Sequence, residues 1–183
     1  MTRNKAYTAV NHEITIEARH YIEQYRDVAR FAALCRECGN YERRWCCPPL
    51  DVALEARLRG YTRATLLACV ITPYCVEQPL AGAMALMRPE IERLNRRVLE
   101  LERERDGLAM GFAGSCYYCG NEPCTREHGL PCRHPERVRP SLEAYGFDLE
   151  RTCRELLGIE MAWSRDPRRL PPRLTLLCAV FHH

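Results

Sequence analysis

The apolar stretch ATLLACVIT, residues 64–72, decides the fold class of this chain. It contains β-branched residues and is bounded by Gly60 and Pro73, a pattern that predicts a buried β-strand. A second apolar run, RLTLLCAVF at residues 173–181, predicts another buried strand for the same reasons. These two strands are expected to form the sheet around which the other elements pack.

Two further strands are predicted. Residues 5–17 contain a weak alternating pattern, and its buried members are expected to be Val10, Ile14 and Ile16. The stretch LAMGFAGS at residues 108–115 is apolar and leads directly into Cys116. A cysteine that directly follows a buried strand is expected to be held in a fixed position by that strand.

Helices are predicted between the strands. Apolar residues recur at three- and four-residue steps in residues 19–34, which indicates a helix. Asp51 is expected to cap a short helix over residues 52–59 that ends at Gly60. Asp148 is expected to cap another over residues 149–157.

The clearest helix spans about residues 89–106, with Pro89 in its first turn and Gly107 at the C′ position. Its apolar stripe, which is expected to face the core, consists of Ile91, Leu94, Val98 and Leu101. The opposite face is rich in Glu and Arg and is expected to be solvated. Helices and strands do not alternate strictly. The chain is therefore predicted to form a single domain of the α+β class over residues 1–183. A small, mainly antiparallel sheet is expected to be flanked by helices and to carry cysteine-rich metal-binding loops.

Composition restricts the class of protein. The 183 residues include 12 cysteines, an even number that would permit disulfides. However, residues 1–25 show no apolar segment typical of a secretion signal. A chain with 46% hydrophobic residues can also form a stable core without disulfide cross-links. A reduced, cytoplasmic protein with metal thiolates is therefore expected. The net charge of +3 does not indicate nucleic-acid binding, and no apolar run approaches the roughly 20 residues of a membrane helix.

The second cysteine group, CYYCGNEPCTREHGLPC at residues 116–132, is the strongest functional signal. Gly120 permits a tight turn after Cys119, which would direct the thiolates of Cys116 and Cys119 towards one metal centre. Backbone N–H groups in such a turn can donate hydrogen bonds to the sulfurs. Zinc sites are commonly built from two CxxC turns, whereas a four-iron cluster accepts wider spacing because each cysteine binds a different iron. A mixed Cys/His zinc site with His128 or His134 is the alternative. The pattern favours a four-iron cluster bound by Cys116, Cys119, Cys124 and Cys132.

The first cysteine group is CRECGNYERRWCCPP, residues 35–49. Adjacent cysteines rarely bind one metal because their side chains tend to diverge, so Cys46 is interpreted as a bystander. A Cys-Pro pair is typical of the end of a ferredoxin motif, which favours Cys47. A fourth ligand could come from elsewhere, such as Cys75, or one iron could stay open and bind substrate; the group could also be purely structural. The predicted ligands here are Cys35, Cys38 and Cys47.

The remaining cysteines Cys69, Cys153 and Cys178 lie in apolar patterns and are interpreted as small buried hydrophobic residues.

The order of these motifs resembles a bacterial and archaeal family of predicted metal-binding proteins of unknown function. The more specific matching pieces are CCPP at residues 46–49 and RPSLEA at residues 139–144, and the likeness covers about residues 35–158. It implies metal binding, iron–sulfur in kind, with Cys46 as an extra residue of this chain. The family's cysteine positions correspond here to Cys35, Cys38, Cys47, Cys116, Cys119, Cys124 and Cys132.

The leading functional hypothesis is a cytoplasmic protein with one or two four-iron clusters that carries electrons or supports a partner redox enzyme. A zinc-stabilised structural or interaction module is one alternative. An iron–sulfur enzyme whose open iron lies in the group at residues 35–47 is another. Neither nucleic acid nor a membrane is an expected partner.

Overall fold

The computed structural model describes residues 6–112, 116–120 and 122–183. Its sheet has four antiparallel strands in the order β1-β2-β4-β3. The strands are β1 (Tyr7–Glu17), β2 (Arg63–Pro73), β3 (Leu108–Met110) and β4 (Leu174–His182). The α-helices are α1 (Ala18–Gln24), α2 (Val28–Arg36), α3 (Val52–Gly60), α4 (Ala83–Glu104) and α5 (Leu149–Leu157). The predicted α+β class is confirmed.

The sheet separates two apolar cores. On one face, α1 and α5 pack with Tyr145 and Phe147 against alternate residues of β2 and β4. On the other face, α4 covers the sheet, and all four residues of its predicted apolar stripe are buried. The three cysteines interpreted as buried hydrophobic residues do lie in these cores: Cys153 in the first, Cys69 and Cys178 in the second.

The helix predicted over residues 19–34 is wrong as a single element. It breaks at Tyr25, and Asp27 starts a new helix by accepting a hydrogen bond from the Arg30 N–H at 3.0 Å. The break occurs because the backbone there pairs with another segment: the Tyr25 carbonyl accepts from the Asp148 N–H at 2.8 Å, and the Asp27 N–H donates to Gly146. Tertiary pairing therefore overrides a continuous helical periodicity.

Both predicted ends of the long helix are also wrong. Helix α4 begins at Ala83, so Pro89 lies inside it rather than in its first turn. Pro89 lacks the N–H that would bond to the carbonyl of Ala85, so the helix continues through this position with one backbone hydrogen bond fewer. At the other end Asp106, with a φ of 46°, adopts the left-handed conformation expected of Gly107.

The predicted third strand is shorter than expected. Strand β3 ends at Met110, and Gly111 makes an isolated bridge to Ser141 instead of continuing along β4. The remainder of the predicted strand includes residues 113–115, which lie outside the described part of the chain. None of the helices in the described ranges is both long and apolar enough to cross a membrane.

Gly107 has a steric role instead of a capping role, and this predicts a large effect of substitution. A Cβ at this position would lie 2.6 Å from the Phe181 carbonyl oxygen and 3.0 Å from Val180 Cγ1. We expect Gly107→Ala to lower the free energy of unfolding by about 1–3 kcal/mol, as overpacking does. Urea unfolding measures this effect. Gly60→Ala is the matched control, since nothing lies within 4 Å of its added Cβ; equal stability of the two variants would contradict the steric account.

Candidate metal centre

The two cysteine groups meet at the β3 edge of the sheet. Gly111 pairs with the segment at residues 140–142: its N–H donates to Pro140 at 2.8 Å, and its carbonyl accepts from Leu142 at 3.0 Å. The Ser141 N–H then donates to the Cys46 carbonyl at 2.8 Å. The sheet edge is thus extended outward to the first cysteine group, while the chain that follows β3 leads into the second.

The first group forms a compact loop at the end of α2. Cys35 lies in the last turn of that helix, and the Cys38 N–H donates to its carbonyl at 2.9 Å. The Cys35 thiol points at the Glu143 carbonyl, 3.8 Å away. The loop is closed by a hydrogen bond of 3.0 Å from the Glu42 N–H to the Cys47 carbonyl.

The second group contains the turn that its sequence predicts. Gly120 has a φ of 59°, so the chain reverses directly after Cys119 in the left-handed conformation. Cys124 is buried and precedes a 3₁₀ turn over Thr125–His128. The His134 N–H donates to the Cys132 sulfur at 3.3 Å, which is the kind of backbone donor expected around thiolate ligands.

Cys46 joins the two groups. Its side chain is only 1% exposed, and its sulfur lies 3.7 Å from the Cys47 sulfur. Its thiol lies close enough to Cys116 of the second group to lower the pKa of that residue. The sequence interpretation gave this residue no role, because adjacent cysteines were expected to diverge; here the two sulfurs lie together.

Trp45 makes a second connection between the groups. Its indole N–H donates to the Thr125 hydroxyl at 3.2 Å. The Arg126 guanidinium lies over the same ring, 4.6 Å from its centroid, in cation–π geometry. Residues 45–46 therefore contact both the beginning and the middle of the second group. No motif spacing in the sequence signalled this contact.

The buried Cys46 thiol influences the acidity of its neighbours. It is the main cause that lowers the pKa of Cys116 to about 7, and the Arg44 guanidinium adds to the effect. The same thiol lowers the pKa of Cys47, while the pKa of Cys46 itself is raised. Burial raises the pKa of Cys132 and Cys35. Two of the predicted ligands are thus biased towards the thiolate form that metals bind.

Helix α4 positions the second group through polar side chains that the sequence predicted to be solvated. Asn95 is 5% exposed, and its amide donates to the Tyr118 hydroxyl and, at 3.1 Å, to the Arg137 carbonyl. The Arg137 guanidinium lies 4.2 Å from the Tyr118 ring centroid. The CxxC turn therefore rests on α4 through the tyrosine inside it.

Glu102 makes the second polar contact of α4 with this region. Its carboxylate pairs with the Arg139 guanidinium at 2.6 Å and accepts from the Ala109 N–H at 2.8 Å. The pair is mostly buried, with 15% and 22% of the two side chains exposed. It fixes the segment before Pro140 against the start of β3.

The donor set fits a soft metal, because it consists of thiols held in two adjoining loops with N–H donors. Within the described ranges, however, no three His, Cys, Asp or Glu side chains are grouped so that they could hold a metal ion. Ligation would require the side chains of the two loops to close around the centre. Cys75 lies elsewhere: it is exposed beyond the end of β2, where its neighbour Tyr74 pairs with Ala6.

Loss of the Glu102 carboxylate tests the anchoring by α4. We expect Glu102→Ala to destabilise the metal-free protein by about 2 kcal/mol, because Arg139 and the Ala109 N–H lose their partner. Glu104→Ala is the control, since its carboxylate is 57% exposed and lies 3.5 Å from Arg97; it should change stability by less than about 0.5 kcal/mol. Urea unfolding that gives equal values for the two variants would argue against the anchor.

Thiol alkylation tests the influence of Cys46. Because the pKa of Cys116 is depressed to about 7, its thiolate is abundant above pH 7 and is lost as the pH falls below it. The pKa of Cys132 is raised, so this thiol stays protonated there. In metal-free protein at pH 7, iodoacetamide should modify Cys116 faster than Cys132, as followed by peptide mass spectrometry. Cys46→Ala should slow modification of Cys116 by about tenfold or more; equal rates at Cys116 and Cys132 would contradict the assignment.

Comparison with known proteins agrees with this chemistry. No curated protein and no solved structure matches the chain. A family profile described as "Predicted metal-binding protein (DUF2284)" matches residues 21–178, a range that includes every predicted ligand. Because this match covers most of the chain, the protein belongs to that family of predicted metal-binding proteins.

Proposed function

We propose that this protein binds an iron–sulfur cluster and transfers electrons or supports a partner redox enzyme. The observation that carries the proposal is the arrangement of the second group, in which each cysteine is supported by a different stretch of chain. Cys116 follows the β3 edge, Cys119 occupies a tight turn, and Cys124 precedes a 3₁₀ turn. A four-iron cluster takes its ligands from separate corners, so it suits donors that are spread in this way.

The protein's contribution to such a cluster would be to set its environment. When bound, the cluster supplies one-electron chemistry. The His134 N–H directed at the Cys132 sulfur would stabilise thiolate charge. Burial of Cys124 and the aromatic contact of Trp45 with the Thr125–His128 turn would limit water at the centre. Burial and N–H donors are the features that adjust the potential of a cluster.

The remaining predictions fit this proposal as parts of it. A reducing, cytoplasmic location is part of the proposal, because thiols must stay reduced to bind a metal. The proposed partner is a redox protein, not nucleic acid or a membrane. One or two clusters would use the seven predicted ligands Cys35, Cys38, Cys47, Cys116, Cys119, Cys124 and Cys132.

A cavity favours the enzymatic alternative as a second candidate. A cavity of about 650 Å³ is lined mainly by apolar side chains, including Phe31, Phe112 and Trp163, and by Glu143. The Cys35 thiol contacts the Glu143 carbonyl, so one wall of the cavity adjoins the first cysteine group. A volume of this size accommodates a small organic molecule. An iron left open at residues 35–47 could meet a substrate there.

The zinc alternative is favoured by a different observation. The sulfurs of Cys46 and Cys47 lie 3.7 Å apart, which is close enough for two thiolates on a single ion. A tetrahedral zinc ion would then stabilise the two loops without redox chemistry.

Anaerobic purification separates these candidates. We expect the full chain to be coloured, with stoichiometric iron and acid-labile sulfide, and the visible absorbance to bleach on reduction. Cys119→Ser should lose iron and sulfide together, whereas the exposed Cys75→Ser should keep both. A colourless protein that contains stoichiometric zinc and no sulfide would overturn the iron–sulfur proposal and support the zinc module.

A further inference from the structure

The burial of Cys46 is not explained by the apolar cores. Five cysteines are buried in the described chain, and three of them belong to the two cores that pack on the sheet. Cys46 and Cys124 belong to neither core. The burial of Cys46 is therefore not accounted for by the packing of either apolar core.

The surroundings of the Cys46 sulfur are those of a ligand. The Cys47 sulfur lies 3.7 Å away, and the indole N–H of the neighbouring Trp45 donates to the Thr125 hydroxyl of the other segment at 3.2 Å. With zinc–sulfur bonds of about 2.3 Å, two thiolates on one tetrahedral ion lie about 3.8 Å apart. Cys46 and Cys47 are already at that separation. A shared metal could replace the contact that these two sulfurs now make.

The backbone holds Cys46 in this place. The Ser141 N–H donates to its carbonyl at 2.8 Å, and Ser141 is bridged to Gly111 at the end of β3. On its other side the Cys47 N–H donates to the Arg44 carbonyl at 3.0 Å. A position fixed by both neighbours loses little entropy when its side chain binds a metal.

We propose that Cys46 is a metal ligand that connects the segments at residues 35–47 and 116–132 into one thiolate centre. This inference rests on the proposed metal binding and adds to it a residue outside the predicted ligand set. The centre would take a soft ion, either zinc or an iron of a cluster. On binding, the thiol releases its proton to solvent and a sulfur–metal bond forms, with no change of oxidation state. Cys46, and not the exposed Cys75, would complete the first group.

Cobalt(II) titration of the metal-free full chain tests this role. The sulfur-to-cobalt charge-transfer absorbance grows with the number of thiolates bound, so it counts ligands directly. We expect Cys46→Ser to lose the contribution of one thiolate and to bind cobalt at least about tenfold more weakly than the wild type. Cys75→Ser, which removes an exposed thiol, should match the wild type in both respects.

A folding control keeps the test decisive. Thermal unfolding of metal-free Cys46→Ser and Cys46→Ala should resemble that of the metal-free wild type, with the stability difference appearing only after cobalt is added. Unchanged charge-transfer intensity and affinity in a folded Cys46 variant would overturn the inference while leaving metal binding intact. Failure of the proposed function would appear instead as a wild type that contains neither iron nor sulfide after anaerobic purification.

Discussion

The hydrogen bond from the Ser141 N–H to the Cys46 carbonyl is the contact on which the candidate centre depends. It is 2.8 Å long and continues the pairing that Gly111 begins at the end of β3. Through this contact, two cysteine groups that are about 70 residues apart in sequence share one edge of the sheet. The sheet therefore serves as the frame that determines which thiols can meet.

Helix α4 supports this frame from one face. Its apolar stripe packs on the sheet, whereas Asn95 and Glu102 hold the CxxC turn and the segment before Pro140. The same helix thus stabilises the core and positions the loop. Because both tasks use one rigid element, motion of the second cysteine group relative to the sheet is restricted by side chains that are largely buried. A backbone held in this way reduces the entropy lost when the cysteine side chains close around a metal.

The sequence predicted those features that depend on local patterns. The buried strands β2 and β4, the apolar stripe of α4, the cap at Asp148 and the turn at Gly120 all follow from periodicity or from one residue's conformational preference. The weaker pattern of β1 was misleading, since Val10, predicted to be buried, is 55% exposed. The break at Tyr25 could not be predicted, because it results from pairing with residues 146–148. The burial of Glu90 and Asn95 was missed for a similar reason: their partners lie on other elements. For the site, spacing identified the cysteines of each group, but their meeting at Cys46 arises only from the tertiary fold.

The central claim is that the two segments form one centre, and a double-substitution experiment tests it most directly. Metal content per chain would be measured for Cys47→Ser, Cys116→Ser and the double variant after anaerobic purification. A shared centre predicts that each single substitution removes the same complement of metal and that the double variant loses no more, because residues that act as a unit are not additive. Independent, additive losses from the two segments would contradict the account.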